Sequence, residues 1–277
     1  MTKLNAALPA SLVLVGAGRM GAAMMQGWLA MGLPAASLTI LDPVPAPDLA
    51  AACADRGVRL NPPLAEIAAP DVLVLAIKPQ MLDTAAPGLA PLAGPDTLIL
   101  SILAGKRIAD LSGRFPAAGA IVRAMPNTPA AIGRGISGVA ASPAVSERQR
   151  GFAAALLGAV GQVEWLADES LIDAVTAVSG SGPAYVFLLA ESLARAGEAA
   201  GLPADLALRL ARATVEGSGE LMRQSPDVAP ATLRQNVTSP GGTTAAALSV
   251  LMADDGLDPL MRDAVAAALR RAGELSG

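Results

Sequence analysis

The chain has 277 residues, of which 53% are apolar but only 2% aromatic, and a formal net charge of −4 at pH 7. It has one cysteine, Cys53, and no histidine, which excludes an internal disulfide, a cysteine-built metal cage and a Ser-His-Asp triad. With the usual metal ligands missing, no metal site is expected; charges of both signs are spread along the chain without a basic stripe, so no nucleic-acid surface is expected either.

Such a length accommodates one large domain or two ordinary ones, each with its own core. No uninterrupted apolar run reaches about 18 residues, so no transmembrane helix is expected. The first apolar run, Leu12–Val15, enters a Gly-rich turn and reads as a strand rather than part of a signal peptide, which makes the cytoplasm the default location.

Residues 1–166 alternate short apolar runs with helical patterns. The segments 11–16, 38–42, 71–79, 96–103, 119–127, 136–142 and 161–167 read as strands, bounded by Gly, Pro, Asp or Asn. Helical patterns fall at 19–31, 46–56, 80–86, 108–114 and 146–157. This alternation predicts a mostly parallel sheet covered on both faces. From residue 167 to 277 no strand pattern remains, and helices are expected at 169–178, 183–200, 203–223, 245–252 and 257–275. Pro183 and Pro203 suit first helical turns, and Gly201 suits a helix end. The expected architecture is an α/β protein with a Rossmann-type domain over 1–166 and an all-helical domain over 167–277. The helical part has long apolar faces but little aromatic bulk, so it is expected to dimerise.

Gly16-Ala17-Gly18-Arg19-Met20-Gly21 fits G-x-G-x-x-G between the first strand and first helix. In that setting Gly16 permits the tight turn, Gly18 lets a pyrophosphate approach the backbone, and Gly21 lets the helix pack on the sheet. The helix start then faces the phosphates with free N–H groups and its positive dipole end. Asp42 ends the second strand, where an acid accepts hydrogen bonds from the adenine ribose and repels a 2′-phosphate; the plainer alternative is that it caps the turn. On the first reading NADH is preferred over NADPH. Ala76-Ile77-Lys78-Pro79 and Ser101-Ile102-Leu103-Ala104-Gly105 end two further strands at the same expected ligand edge. Lys78 reads either as a cofactor contact or as a solvated surface lysine.

Asn236-Val237-Thr238-Ser239-Pro240-Gly241-Gly242-Thr243-Thr244 leads into a helical pattern. Hydroxyls and free N–H groups at a helix start suit a carboxylate, although an ordinary N-cap and turn have the same composition.

At these residues the chain resembles the pyrroline-5-carboxylate reductases. The segment from Leu233 to Leu251 is similar to that family's signature. Ala76–Pro79, Arg123-Ala124-Met125-Pro126-Asn127-Thr128-Pro129 and Ser179-Gly180-Ser181-Gly182-Pro183-Ala184-Tyr185-Val186 agree with it in order and spacing. The resemblance implies reduction of the cyclic imine 1-pyrroline-5-carboxylate to L-proline by NADH or NADPH, the last step of proline biosynthesis. It implies a homodimer through the helical domain and leaves room for the decamer of five dimers that several members form. It places the substrate at the dimer interface. Its carboxylate would lie on the backbone near Gly242, Thr243 and Thr244 with help from Ser239, and its ring nitrogen near the Thr244 hydroxyl. Gly16–Gly21, Ala76, Ile77, Lys78, Pro79, Leu103 and Ala104 would line the cofactor.

The chain departs from the family in three places: Leu103 precedes Ala104-Gly105, Pro63 stands where many members have Asn with Asn61 just upstream, and Met252 replaces a polar or acidic residue. A β-hydroxyacid dehydrogenase would need a lysine in the helical half, and none follows Lys106. A non-catalytic dinucleotide sensor would leave Thr238–Thr244 without a purpose.

Overall fold

The computed structural model describes residues 8–276. The chain divides into two compact units: one runs to Gly180 and also takes in the chain from Leu269 onward, and the other is Ser181–Ala268. The sequence places the domain step at 166/167, just after the last strand, which ends at Trp165.

The first unit is built on eight strands: β1 (Leu12–Val15), β2 (Leu38–Leu41), β3 (Arg59–Leu60), β4 (Val72–Leu75), β5 (Leu98–Ser101), β6 (Ala120–Met125), β7 (Gly135–Ala141) and β8 (Gly161–Trp165). They form one sheet in the order β3-β2-β1-β4-β5-β6-β7-β8. Only the β6–β7 pair is antiparallel. The first six strands follow the Rossmann order, with its reversal between β1 and β4. The two-residue β3 is absent from the sequence expectation, because so short a run carries no periodicity.

Five helices cover the sheet: α1 (Arg19–Ala30), α2 (Pro47–Arg56), α3 (Leu82–Leu89), α4 (Ile108–Arg114) and α5 (Glu147–Gly158). Alternate strand residues point to opposite faces, and both faces are buried. Leu12, Leu14, Ile40, Val72 and Val74 share one core with Met24, Trp28, Cys53 and Phe152. Val13, Val15, Leu73, Leu75 and Ile99 share the other with Leu82, Leu111 and Phe115. This two-sided burial explains why the strands read as unbroken apolar runs. Each fully buried large side chain contributes about 1.5–3 kcal/mol. The Trp28 indole N–H also donates to the Leu156 carbonyl at 2.7 Å, so its polar atom is not left unpaired.

After β8, α6 (Leu171–Val175) runs into a single π turn at Thr176–Gly180. The Asn127 amide donates to the Ser179 hydroxyl there at 3.2 Å, and the Asn127 side-chain oxygen accepts from the Ile136 N–H at 3.0 Å. The sequence pattern expects plain helix over this stretch. The wider turn ends at Ser179-Gly180, the first two residues of the small-residue run Ser179-Gly180-Ser181-Gly182.

The second unit comprises α7 (Gly182–Ala199), α8 (Ala204–Gln224), α9 (Pro230–Asn236), α10 (Thr243–Leu251) and most of α11 (Leu257–Leu275). The short α9 has no counterpart in the sequence expectation. Here α7 and α8 meet through small residues. A Cβ on Gly197 would stand 3.2 Å from the Ala207 methyl group, and Ala194, Ala207 and Ala211 are buried. The large apolar residues lie outside instead, with Phe187 68%, Leu260 63% and Val250 70% exposed. A groove of about 520 Å³ beside α7 and α11 is lined by Tyr185, Val186, Leu189, Leu257, Leu260 and Met261. By length and composition alone, the helical stretch Leu171–Ala199 is long and apolar enough to cross a membrane. The expectation of no such stretch counted only unbroken apolar runs, which Asp173, Ser179, Ser181 and Glu191 interrupt.

Candidate functional site

The C-terminal ends of β1, β2, β4 and β5 form one edge of the sheet. In open parallel sheets ligands bind at this edge, at the reversal of strand order. Gly16 leaves β1 with φ +86°, and a Cβ there would lie 2.8 Å from both the Ala76 carbonyl oxygen and an Ile77 methyl group. Gly21 sits deep in the helix–strand contact, where a Cβ would stand 2.3 Å from the Gly16 carbonyl oxygen. Gly18 differs from both, since an added Cβ would meet nothing within 4 Å. The turn therefore has a rigid base and an open crest. Gly18 is the N-cap of α1, and no side chain caps that end. The first turn also carries no acid. A helix start with free N–H groups and no acid in its own first turn suits a pyrophosphate.

Most of the expected cofactor residues share this edge. Arg19 is exposed and Met20 half-buried in the first turn of α1, while Ala17 is buried. The Ala76 N–H donates to the Val15 carbonyl at 2.8 Å, which holds Ala76–Ile77 across from the Gly-rich turn. Lys78 is exposed, and Pro79 opens a single 3-10 turn over Pro79–Met81. Ala104 is exposed. Leu103 is only 2% exposed and packs in the second core, so its side chain does not line the cleft, which leaves its backbone as the part able to meet a cofactor.

Asp42 is tied to the turn more closely than the sequence indicates. Its Oδ2 accepts from the Ala17 N–H at 2.8 Å and its Oδ1 from the Val44 N–H at 3.0 Å. Asn61 holds the Asp42 backbone from the other side. Its amide oxygen accepts from the Asp42 N–H at 2.8 Å, and its amide nitrogen donates to the Asp42 carbonyl at 2.7 Å. Asn61 has φ +49°, the one positive value at a non-glycine position among the described residues. Asn tolerates that region through its short polar side chain. In the sequence Asn61 stands out only as a displaced family residue. Its pairing with Asp42 depends on the β2–β3 register, which the sequence does not display.

The remaining expected residues, Ser239, Gly242, Thr243 and Thr244, lie together in the helical unit. The Gly242 N–H donates to the Ser239 carbonyl at 3.0 Å, closing a turn in front of α10. Gly242 is the N-cap, and no side chain caps the helix. Ser239 and Thr243 are exposed, whereas Thr244 is half-buried. The segment thus offers backbone donors and hydroxyls without a charged group.

A family model described as NADP oxidoreductase, coenzyme F420-dependent, matches residues 11–105. Together with the strand order and the Gly-rich turn, it defines the first unit as a dinucleotide-binding domain of the Rossmann class. A model of pyrroline-5-carboxylate reductase dimerisation matches residues 169–275. A pyrroline-5-carboxylate reductase of Pseudomonas aeruginosa is 43% identical over 266 residues, covering 96% of each chain. One from Synechocystis is 47% identical over 219 residues, 79% of this chain and 80% of that one. The solved pyrroline-5-carboxylate reductase of Coxiella burnetii superposes with a TM-score of 0.89 at 33% identity, covering 97% of this chain and 99% of that chain. That of Plasmodium falciparum, solved with NADP bound, gives 0.79 at 28% identity, covering 97% and 98%. The chain belongs to the pyrroline-5-carboxylate reductase family.

Proposed function

We propose that this chain reduces 1-pyrroline-5-carboxylate to L-proline with NADH or NADPH, the closing step of proline biosynthesis. The observation that carries this reading is the uncapped start of α10 behind Ser239–Gly242, in a chain whose sheet edge accepts a dinucleotide. The open space at Gly18 and the bare start of α1 fit that cofactor.

When bound, the nicotinamide supplies the hydride for the imine carbon. The Gly242 N–H closes the turn onto the Ser239 carbonyl, so the N–H groups of Thr243 and Thr244 just behind it, with the Ser239 hydroxyl, would hold the substrate carboxylate. The Thr244 hydroxyl hydrogen-bonds the ring nitrogen as it becomes an amine. A protonated imine already accepts hydride readily, so the chain needs no strong general acid, and its lack of histidine is no obstacle. Catalysis then rests mainly on holding donor and acceptor carbons about 3–3.5 Å apart. Gly16–Gly21, Ala76–Pro79 and the backbone at Leu103–Ala104 fix the cofactor side.

Residues 1–166 serve the cofactor in this reading, while 167–277 serve the substrate and dimerisation. The exposed apolar residues of α7 and α11 are those a second copy would cover, and the match to a dimerisation model supports that occupant. The dimer, a decamer built from it and a cytoplasmic location are parts of the same proposal. Asp42 favours NADH, because its carboxylate would face a 2′-phosphate with like charge. The test is a rate assay of the purified chain with 1-pyrroline-5-carboxylate and each cofactor in turn. Consumption of NADH matched by L-proline formation is expected, with a larger kcat/KM for NADH than for NADPH. No turnover with either cofactor would overturn the reading.

A further inference from the structure

Arg123 lies in β6, in register with Ser101 of β5, and its side chain is only 4% exposed. A buried guanidinium is tolerated when its charge is answered nearby. Its Nη1 lies 3.0 Å from Glu169 Oε1 and its Nη2 3.6 Å from Asp173 Oδ1. Both carboxylates have a second task. Glu169 Oε1 also accepts from the Ile108 N–H at 2.8 Å, at the start of α4. Asp173 Oδ1 lies 3.1 Å from the Ser276 hydroxyl, just past the end of α11. The neighbouring Leu275 carbonyl closes on Gly105, where an added Cβ would stand 2.5 Å from its oxygen at φ +71°. A ring of contacts therefore runs from the Gly105 turn through Ile108, Glu169, Arg123, Asp173 and Ser276 back to Leu275 and Gly105.

The enclosed turn directly follows Leu103–Ala104 at the C-terminal edge of β5. A dinucleotide crossing the strand reversal places its adenosine half toward β1–β2, where Asp42 stands, and its other half toward β4–β6. We propose that Arg123 and Glu169 are positioning residues for hydride transfer, holding the nicotinamide-side wall of the cleft against the C-terminal end of the chain. This rests on the reductase reading above. Neither residue touches the reacting atoms; both act through the Gly105 turn. The Gly-rich turn belongs to β1 and α1 and has no part in the ring, so adenosine-side binding does not depend on it.

The test compares wild type with Glu169→Ala, Glu169→Gln and Ser276→Ala, each assayed well below its melting temperature. For Glu169→Ala, kcat is expected to fall roughly ten- to a hundredfold, as a small misplacement of the reacting groups allows. The Kd for NADH, read from NADH fluorescence, is expected to stay within about threefold, because most cofactor contacts remain. Glu169→Gln keeps an acceptor for the Ile108 N–H and is expected to recover most of the lost kcat. A merely structural role would lower the melting temperature of Glu169→Ala and leave kcat unmoved; that result would overturn the proposal. If Glu169→Ala does not fold, Ser276→Ala decides: a fall of about threefold in kcat with unchanged NADH binding supports the ring, and wild-type kcat overturns it. An inactive wild type would overturn the reductase reading itself, and this proposal with it.

Discussion

The two units bury themselves in opposite ways. The sheet unit hides its largest side chains, with Trp28, Phe115 and Met24 all at 0% exposure. The helical unit buries Ala194, Ala207 and Ala211 and leaves Phe187, Leu188, Leu189 and Leu260 more than half exposed. A core of that first kind suffices for a folded single copy. The second kind is half of an interface: small residues let its helices close on each other, while the bulky ones await a partner. The same division separates the chemistry. The proposed cofactor edge is set by backbone packed too closely to admit a Cβ, as at Gly16 and Gly21. The proposed substrate segment is a turn and a helix start that are open to solvent in the single chain.

The sharpest way to break this division is Thr244→Val, which removes the hydroxyl from the half-buried first turn of α10. Losing its hydrogen bond to the charged ring nitrogen is expected to lower kcat roughly ten- to a hundredfold, measured by NADH consumption, while the Kd for NADH is unchanged. A change below twofold would remove Thr244 from the chemistry.

Gly18→Val makes the complementary cut. Its Cβ meets no protein atom within 4 Å, so the melting temperature is expected to hold. The valine fills the space a pyrophosphate approaches, and loss of charge-assisted hydrogen bonds there weakens NADH binding about 10–100-fold. Unaltered NADH fluorescence titration would mean that the phosphates lie elsewhere. Asp42→Ser is expected to act less strongly, lowering kcat/KM for NADH about tenfold as the Ala17 and Val44 N–H groups lose a charged acceptor. The NADPH to NADH ratio rises in the same assay.

Phe187→Asp probes the helical face. A charge at a residue 68% exposed in the single chain costs little there, but it is poorly tolerated inside an interface. Light scattering is expected to report a dimer for wild type and a monomer for the variant, and a monomeric wild type would refute the interface. The smallest effect concerns Cys53, which is 1% exposed and whose thiol burial pushes up in pKa. Less thiolate at a given pH and little access both slow alkylation. Near pH 8 a maleimide is expected to label it only as fast as the first unit opens, and rapid labelling of the native protein would contradict the buried placement.

Much of this organisation is legible in the sequence, for identifiable reasons. Both-face burial turns β1, β2, β4 and β5 into short apolar runs, and Pro183, Pro203 and Gly201 punctuate the helices. The Gly-rich turn is recognisable because its three glycines each answer a local requirement. What escapes the sequence depends on distant partners. Asp42 reads as either a ribose acceptor or a cap, and only the folded chain has the Ala17 and Val44 N–H groups on it. Leu103 sits at a strand end and looks like a cleft residue, but its side chain turns into the core. Arg123 looks like one charge in an apolar strand; its answering carboxylates come from α6 and from the loop before it, far along the chain. The short β3 and α9 carry too few residues for any period to emerge.

The central claim is hydride transfer from a cofactor on the sheet edge to the imine carbon of 1-pyrroline-5-carboxylate. It is tested most directly by supplying NADH deuterated at the transferring position of nicotinamide C4 and locating the label in the product. The account predicts L-proline with deuterium on the ring carbon that had been the imine carbon, in proportion to the NADH consumed. Unlabelled proline, label at another carbon, or no consumption of NADH would contradict it.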